Sequence, residues 1–300
     1  MRYSADGVII ANGSACECLV PDMINQPRDK LPKMAANLLP RELLSWSLMA
    51  VAMGAMEGGL LGIIVKNQFS EAVAPALVNL AVAIVAGAAS FTNLFSFFFA
   101  ARAMGRGKVL MLARLMFVIA ACLLTVTLSP VSAGGLALFT VITVVAMAAW
   151  SGILTVRSVV WRANYARRWR GQVTARISQL AALLTASFSA LIGVAINANG
   201  TAWRLMFPFA ALSALAGGLV YRRSRVRRQR SLVQAEQLRQ GAPDGRVRFR
   251  SMAGILRANR DFRNYMLGMM VFGSGNLMVI AMLVVLMNDR LALDRLTQVL

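Results

Sequence analysis

Seven runs of roughly 20 apolar residues constrain this chain more than any other feature. They fall at 43–65, 75–99, 109–128, 135–156, 174–196, 203–221 and 265–287. A helix rises 1.5 Å per residue, so each run covers about the 30 Å of a bilayer's hydrocarbon core. Only a helix or a closed barrel satisfies every backbone N–H and C=O in lipid, and runs of this length are helical in character. The fold expected is all-α, a polytopic membrane helical bundle. Turn-forming segments separate the runs, as in "SPVSAGG" at 129–135 and "NANGTAW" at 197–203. Hydrophobic residues make up 58% of the 300, above the 45–50% of soluble domains.

Charge supplies the orientation. The net charge is +20, from 32 Lys plus Arg against 12 Asp plus Glu, and only four of the cations are Lys. The link after the second run holds Arg102, Arg106 and Lys108, with Arg114 just inside the third. The link after the fourth holds Arg157, Arg162, Arg167, Arg168, Arg170 and Arg176. The link after the sixth gathers thirteen Arg between Arg222 and Arg263. The alternate links carry only Lys66, Arg204, Arg290 and Arg295. This is the positive-inside pattern, with the N-terminus in the cytoplasm. It assigns the charge to topology and to anionic lipid at the cytoplasmic face. No basic stretch interleaved with aromatics is present, so nucleic acid is not an expected partner.

The same patterning divides the chain into an N-terminal cytoplasmic tail (1–42), a six-span bundle (43–221), a basic cytoplasmic link (222–262) and a seventh span that opens a second, incomplete bundle (263–300). The tail lacks the uninterrupted apolar stretch of a signal peptide. Within the link, residues 248–262 alternate basic and apolar side chains as an interfacial helix does. The sequence stops at Leu300, where an eighth span is expected, and the expectation is the front of a longer protein.

Enzyme chemistry finds little material. The chain has no His, which removes the usual general base and the commonest metal ligand. Its three Cys, at 16, 18 and 122, lack the second pair that a zinc site needs. Neither a metal nor a cofactor is expected.

One carboxylate, Glu57, lies within the seven runs, in "GAMEGGLLGI" at 54–63. An ionised group at mid-membrane costs about 3 kcal/mol on insertion scales, so it faces a bundle interior or a wet cavity. Glu57 is the candidate to carry coupling protons or to bind a cationic group of a small-molecule substrate. The alternative is a neutral, hydrogen-bonded structural carboxyl. Gly54, Gly58 and Gly62 recur every four residues and form a stripe for close helix packing. Asn93 and Thr92 in the second run, Thr143 and Trp150 in the fourth, Gln179 in the fifth and Asn276 in the seventh are further candidates to line a cavity. Interhelical hydrogen bonding is the competing role for each.

Six spans, a long basic link and a new span make a layout that resembles the major facilitator superfamily. The segment "FFAARAMGRGKVLMLARL" at 98–115 resembles that family's short cytoplasmic loop, in which an Asp precedes Gly-Arg-Lys/Arg. Gly105 and Arg106 match the Gly-Arg, and Lys108 supplies the later cation. The Asp position holds Arg102, so the acidic half is missing. "RSVVWRANYARRWRGQVTAR" at 157–176 resembles the end of the family's span 4 and the start of its span 5, through Arg157, Arg170 and Gly171. The Gly-Pro motif of family antiporters is absent from the fifth run. The family is built from two similar halves. A shift of 219 accordingly pairs Arg41 with Arg260, Glu42 with Asp261, Gly54 with Gly273 and Glu57 with Asn276.

The resemblance implies a secondary transporter that works by alternating access in a bacterial inner membrane, coupled to protons. In it, Gly105, Arg106, Lys108, Arg157, Arg170 and Gly171 belong to the conformational loops. A degenerate half-transporter, acting as a membrane interaction module or inactive, is the alternative.

Overall fold

In a computed structural model, the described residues are 33–227, 229–241 and scattered positions between 254 and 282. Among the described residues the chain forms helices and no strand. Helix α1 covers Lys33–Ala55, α2 Gly58–Phe69, α3 Pro75–Thr92, α4 Ser96–Ala103, α5 Lys108–Thr127, α6 Ala133–Asn164, α7 Arg167–Ala198, α8 Trp203–Arg222 and α9 Gln229–Gly241. Among the described residues, six segments are long and apolar enough to cross a membrane: Asn37–Phe69, Pro75–Ala103, Lys108–Thr127, Ala133–Asn164, Arg167–Ala198 and Trp203–Arg222. They coincide in order with the first six apolar runs. Cys16, Cys18, Asn276 and much of the stretches 248–262 and 265–287 lie outside the described residues.

Three boundaries differ from the sequence reading. The first helix begins at Lys33, inside the segment read as tail. Spans 4 and 5 are each 32 residues long and continue into the basic links. Arg is a good helix former, so a span can extend beyond the hydrocarbon as an Arg-rich turn or two. The third difference is a break in span 1. Met56 and Glu57 fall between α1 and α2, and Glu57 has φ −59° and ψ 128°, which is extended backbone. Gly54 is therefore not on one continuous helix face with Gly58 and Gly62, as the spacing had implied.

Span 1 is the most buried of the six and span 5 the least. Span 1 packs against spans 2, 5 and 6, span 3 lies between spans 4 and 6, and span 2 packs on span 4. Leu77, Leu80, Leu183, Leu205 and Leu212 are exposed on the outer faces, as lipid-facing side chains are. Lipid is as apolar as Leu, so burial alone does not drive these helices together; close packing and hydrogen bonds do. Both are visible around span 1. A Cβ at Gly54 would meet the Thr185 carbonyl at 2.8 Å and Phe188 Cβ at 3.1 Å, so only Gly lets span 5 approach there. Thr185 and Ser189 of span 5 donate to the carbonyls of Ala50 (3.1 Å) and Gly54 (2.7 Å). Ser213 of span 6 donates to the Leu48 carbonyl (2.9 Å), and Ser45 of span 1 donates to that of Gly217 (2.8 Å).

Candidate functional site

The break in span 1 places Glu57 at the N-terminus of α2, exposed and with no side-chain capping bond. Breaking a helix in a membrane frees backbone groups that must find partners. Two are accounted for locally: Met56 N–H donates to the Met53 carbonyl (3.0 Å), and Leu61 N–H to the Glu57 carbonyl (2.9 Å). Ser189 supplies the donor for the Gly54 carbonyl, so span 5 completes the break. The sequence signal for it is the run Glu57-Gly58-Gly59, because paired Gly weaken helix propagation.

The remaining lining candidates separate into two groups. Asn93, in a 3-10 turn at Asn93–Phe95, and Gln179, on α7, are exposed like Glu57. No hydrogen bond joins these three side chains to one another among the described residues. Thr143 is buried and borders a cavity of about 10 Å³ with Met56, Cys122 and Phe207. That volume is the size of one water and too small for a solute. Thr143 thus belongs to the packed interior. Thr92 is likewise buried and donates back to the Ala88 carbonyl (2.8 Å), and Trp150 stacks edge-on to Trp46 at 6.3 Å.

The Arg-rich end of the bundle holds a second constellation, which the sequence reading passed over. Glu42, near the start of span 1, is 0% exposed. Its Oε2 accepts a hydrogen bond from the Tyr165 hydroxyl (2.9 Å), while its Oε1 has no partner. Burial and the nearby Glu42 charge push the Tyr165 phenol well above its ordinary pKa, so it stays a donor. The Arg157 guanidinium sits 4.4 Å from the rings of both Trp46 and Trp161 and is within electrostatic reach of Glu42 and Tyr221. Trp161 and Tyr221 each stack edge-on to Trp46, at 6.0 Å. The indole N–H of Trp46, the indole N–H of Trp161 and the hydroxyl of Tyr221 are buried without partners. Arg157, assigned by resemblance to a conformational loop, is thus part of a buried aromatic and ionic cluster.

A carboxylate from α9 reaches the loop between spans 2 and 3. Gly105 has φ 68°, a conformation that favours Gly. Glu236 of α9 accepts from that N–H (2.7 Å) and from Lys108 Nζ (2.5 Å). Lys108 is 2% exposed and also donates to the Ala103 carbonyl (2.5 Å), closing the end of α4. Arg102 and Arg106 remain exposed. A second tie joins span 4 to the link: Asn164 accepts from the Arg227 N–H (2.9 Å) and donates to the Arg225 carbonyl (3.3 Å). Arg170 donates to the carbonyls of Tyr165 (3.3 Å) and Arg162 (3.4 Å), holding the turn between spans 4 and 5. Gly171 has open space around it, so no close approach requires a glycine there. Glu236 was legible only as the single carboxylate among the basic residues of 222–241.

No group of His, Cys, Asp or Glu among the described residues forms a metal-binding cluster. Comparisons with protein-family models, curated proteins and solved structures return no match to this chain. The six spans describe a multi-pass membrane protein.

Proposed function

We propose that this chain is the six-span half of a major-facilitator-type secondary transporter, which moves a small solute by alternating access with Glu57 as the proton-coupling carboxylate. The observation that carries the reading is the break at Met56–Glu57, which places an exposed carboxyl partway along an otherwise apolar span. A charge facing lipid is costly, so an exposed Glu57 calls for water or a second bundle opposite it. Broken helices in membranes persist where they border a cavity, and half-helix ends are where transporters hold ions and substrates. Exposed Asn93 and Gln179 would line the same cavity. The basic links favour a bacterial inner membrane location with the N-terminus inside, where anionic lipid meets the Arg-rich face.

The test is proton flux in vesicles carrying the native gene product and a trapped pH dye. Ethidium and tetraphenylphosphonium are the first probes, because an acidic site favours cations, followed by neutral sugars. Solute-dependent proton movement that disappears in Glu57→Gln is the expected result. Movement unaffected by Glu57→Gln removes Glu57 from coupling. No movement with any probe favours the non-transporting membrane module.

A further inference from the structure

The cluster at the Arg-rich end has features that helix packing does not require. Glu42 is fully buried, and Tyr165 donates to its Oε2. Its Oε1 makes no full hydrogen bond, although the Asn164 amide and the Trp161 indole approach the carboxyl. Arg157 acts on it only through its charge. Arg157 is held instead between two indole faces. Three buried donors of the cluster, from Trp46, Trp161 and Tyr221, make no full hydrogen bond, and those of Trp161 and Tyr221 are near the carboxyl. A buried ionised carboxylate without a full shell of donors carries a desolvation cost that protonation removes.

We propose that Glu42 is a proton-binding site, distinct from Glu57, which takes a proton from water at the Arg-rich end of the bundle. The proton adds to Oε1, the oxygen with no full hydrogen bond, and forms an O–H bond; release returns it to water and leaves the carboxylate on Tyr165. Several groups face it. Span 4 and the turn after it supply Arg157, the Trp161 indole, the Asn164 amide and the Tyr165 hydroxyl, and span 6 supplies the Tyr221 hydroxyl. Span 5 contributes Arg170, which holds Tyr165 through its backbone carbonyl. Gaining the proton removes the negative charge that balances Arg157 and weakens the tie between spans 1 and 4 at Tyr165. The two states of Glu42 therefore differ in how firmly the Arg-rich ends of these spans are joined.

Trp46 and Trp161 flank the cluster, so their emission reports the titration, and the absence of His leaves few other groups to titrate near neutrality. The experiment follows the tryptophan emission of the purified full chain in lipid nanodiscs from about pH 5 to about pH 9. The infrared band of a protonated buried carboxyl is recorded in parallel. The native chain is expected to show one inflection, with the carboxyl band growing on its acid side. Glu42→Gln abolishes both, and Glu57→Gln leaves the emission inflection in place. Tyr165→Phe removes a donor to the ionised form, and its inflection moves up by about one pH unit. This variant keeps the proposal testable where Glu42→Gln fails to fold. Persistence of the inflection in Glu42→Gln, or an unmoved midpoint in Tyr165→Phe, overturns the assignment. The assignment does not depend on the transport reading. A Glu42 titration without proton flux keeps the site and drops the transporter, and flux without a titration does the reverse.

Discussion

Glu42 and Glu57 belong to the same membrane span, yet the bundle treats them in opposite ways. Glu42 is fully buried, bonded to Tyr165 and faced by Arg157, while Glu57 is exposed at a helix break with no side-chain capping bond. Hydropathy singles out Glu57, because it interrupts an apolar run. It passes over Glu42, which lies at the edge of a run beside Arg41 and so reads as an interfacial charge. A carboxyl's role in a membrane follows from what surrounds its oxygens, and that is decided by other spans.

The largest expected effect separates the two directly. Glu42→Ala leaves the buried Tyr165 hydroxyl and the half-buried Arg157 guanidinium without their acid, which lowers unfolding free energy by about 3 kcal/mol. Reversible unfolding in mixed detergent micelles, followed by tryptophan emission, measures it. Glu57→Ala changes the same quantity by less than about 0.5 kcal/mol, as substitutions at exposed sites do. Equal losses at the two positions would break the comparison.

Next come the glycines on either side of the break. Gly54→Ala drives a Cβ into the Thr185 carbonyl and Phe188, and costs about 2 kcal/mol in that assay. A methyl group at Gly59 would meet nothing within 4 Å, so Gly59→Ala instead stabilises α2 by about 0.5 kcal/mol. Opposite signs from glycines so near in sequence would show that span 5 packs on α1 and leaves the start of α2 open. Matching signs would contradict the break.

The Arg-rich face gives a smaller readout. Glu236→Gln keeps the side-chain shape and removes the charge from the contacts with Lys108 and Gly105. A charge-assisted bond is worth about 1.5 kcal/mol, so trypsin should cut the link about tenfold faster. An unchanged cleavage rate would mean that Asn164 alone holds the link to the bundle. The smallest effect is that of Ser189→Ala, which withdraws the donor from the Gly54 carbonyl. Interhelical hydrogen bonds in membranes average about 0.6 kcal/mol, and a loss of that size is expected in the unfolding assay.

Much of the bundle is legible in the chain's hydropathy. Six of the apolar runs correspond to six helices, since length and lack of charge are properties of the chain alone. A Cβ at Gly54 would meet span 5, while the stripe through Gly58 and Gly62 assumed a helix that the break between α1 and α2 interrupts. The site was less legible. Thr143 and Asn93 look alike in sequence, as single polar residues in apolar runs, yet one borders a water-sized void and the other is exposed. Rotation of each span about its axis makes that difference, and hydropathy does not encode it. The acid paired with Lys108 is Glu236, more than a hundred residues away (|i−j| 128), where no local motif leads.

The sequence by itself determined that the chain has helices apolar enough to cross a membrane, the order of six of them, and which links carry positive charge. These follow from the cost of placing polar groups in hydrocarbon, a cost paid residue by residue. Tertiary structure alone decided which carboxyl is buried, which arginine lies between indoles and which acid reaches Lys108. Each of these depends on side chains from different spans meeting within a few ångströms, and only the packing of the helices sets that.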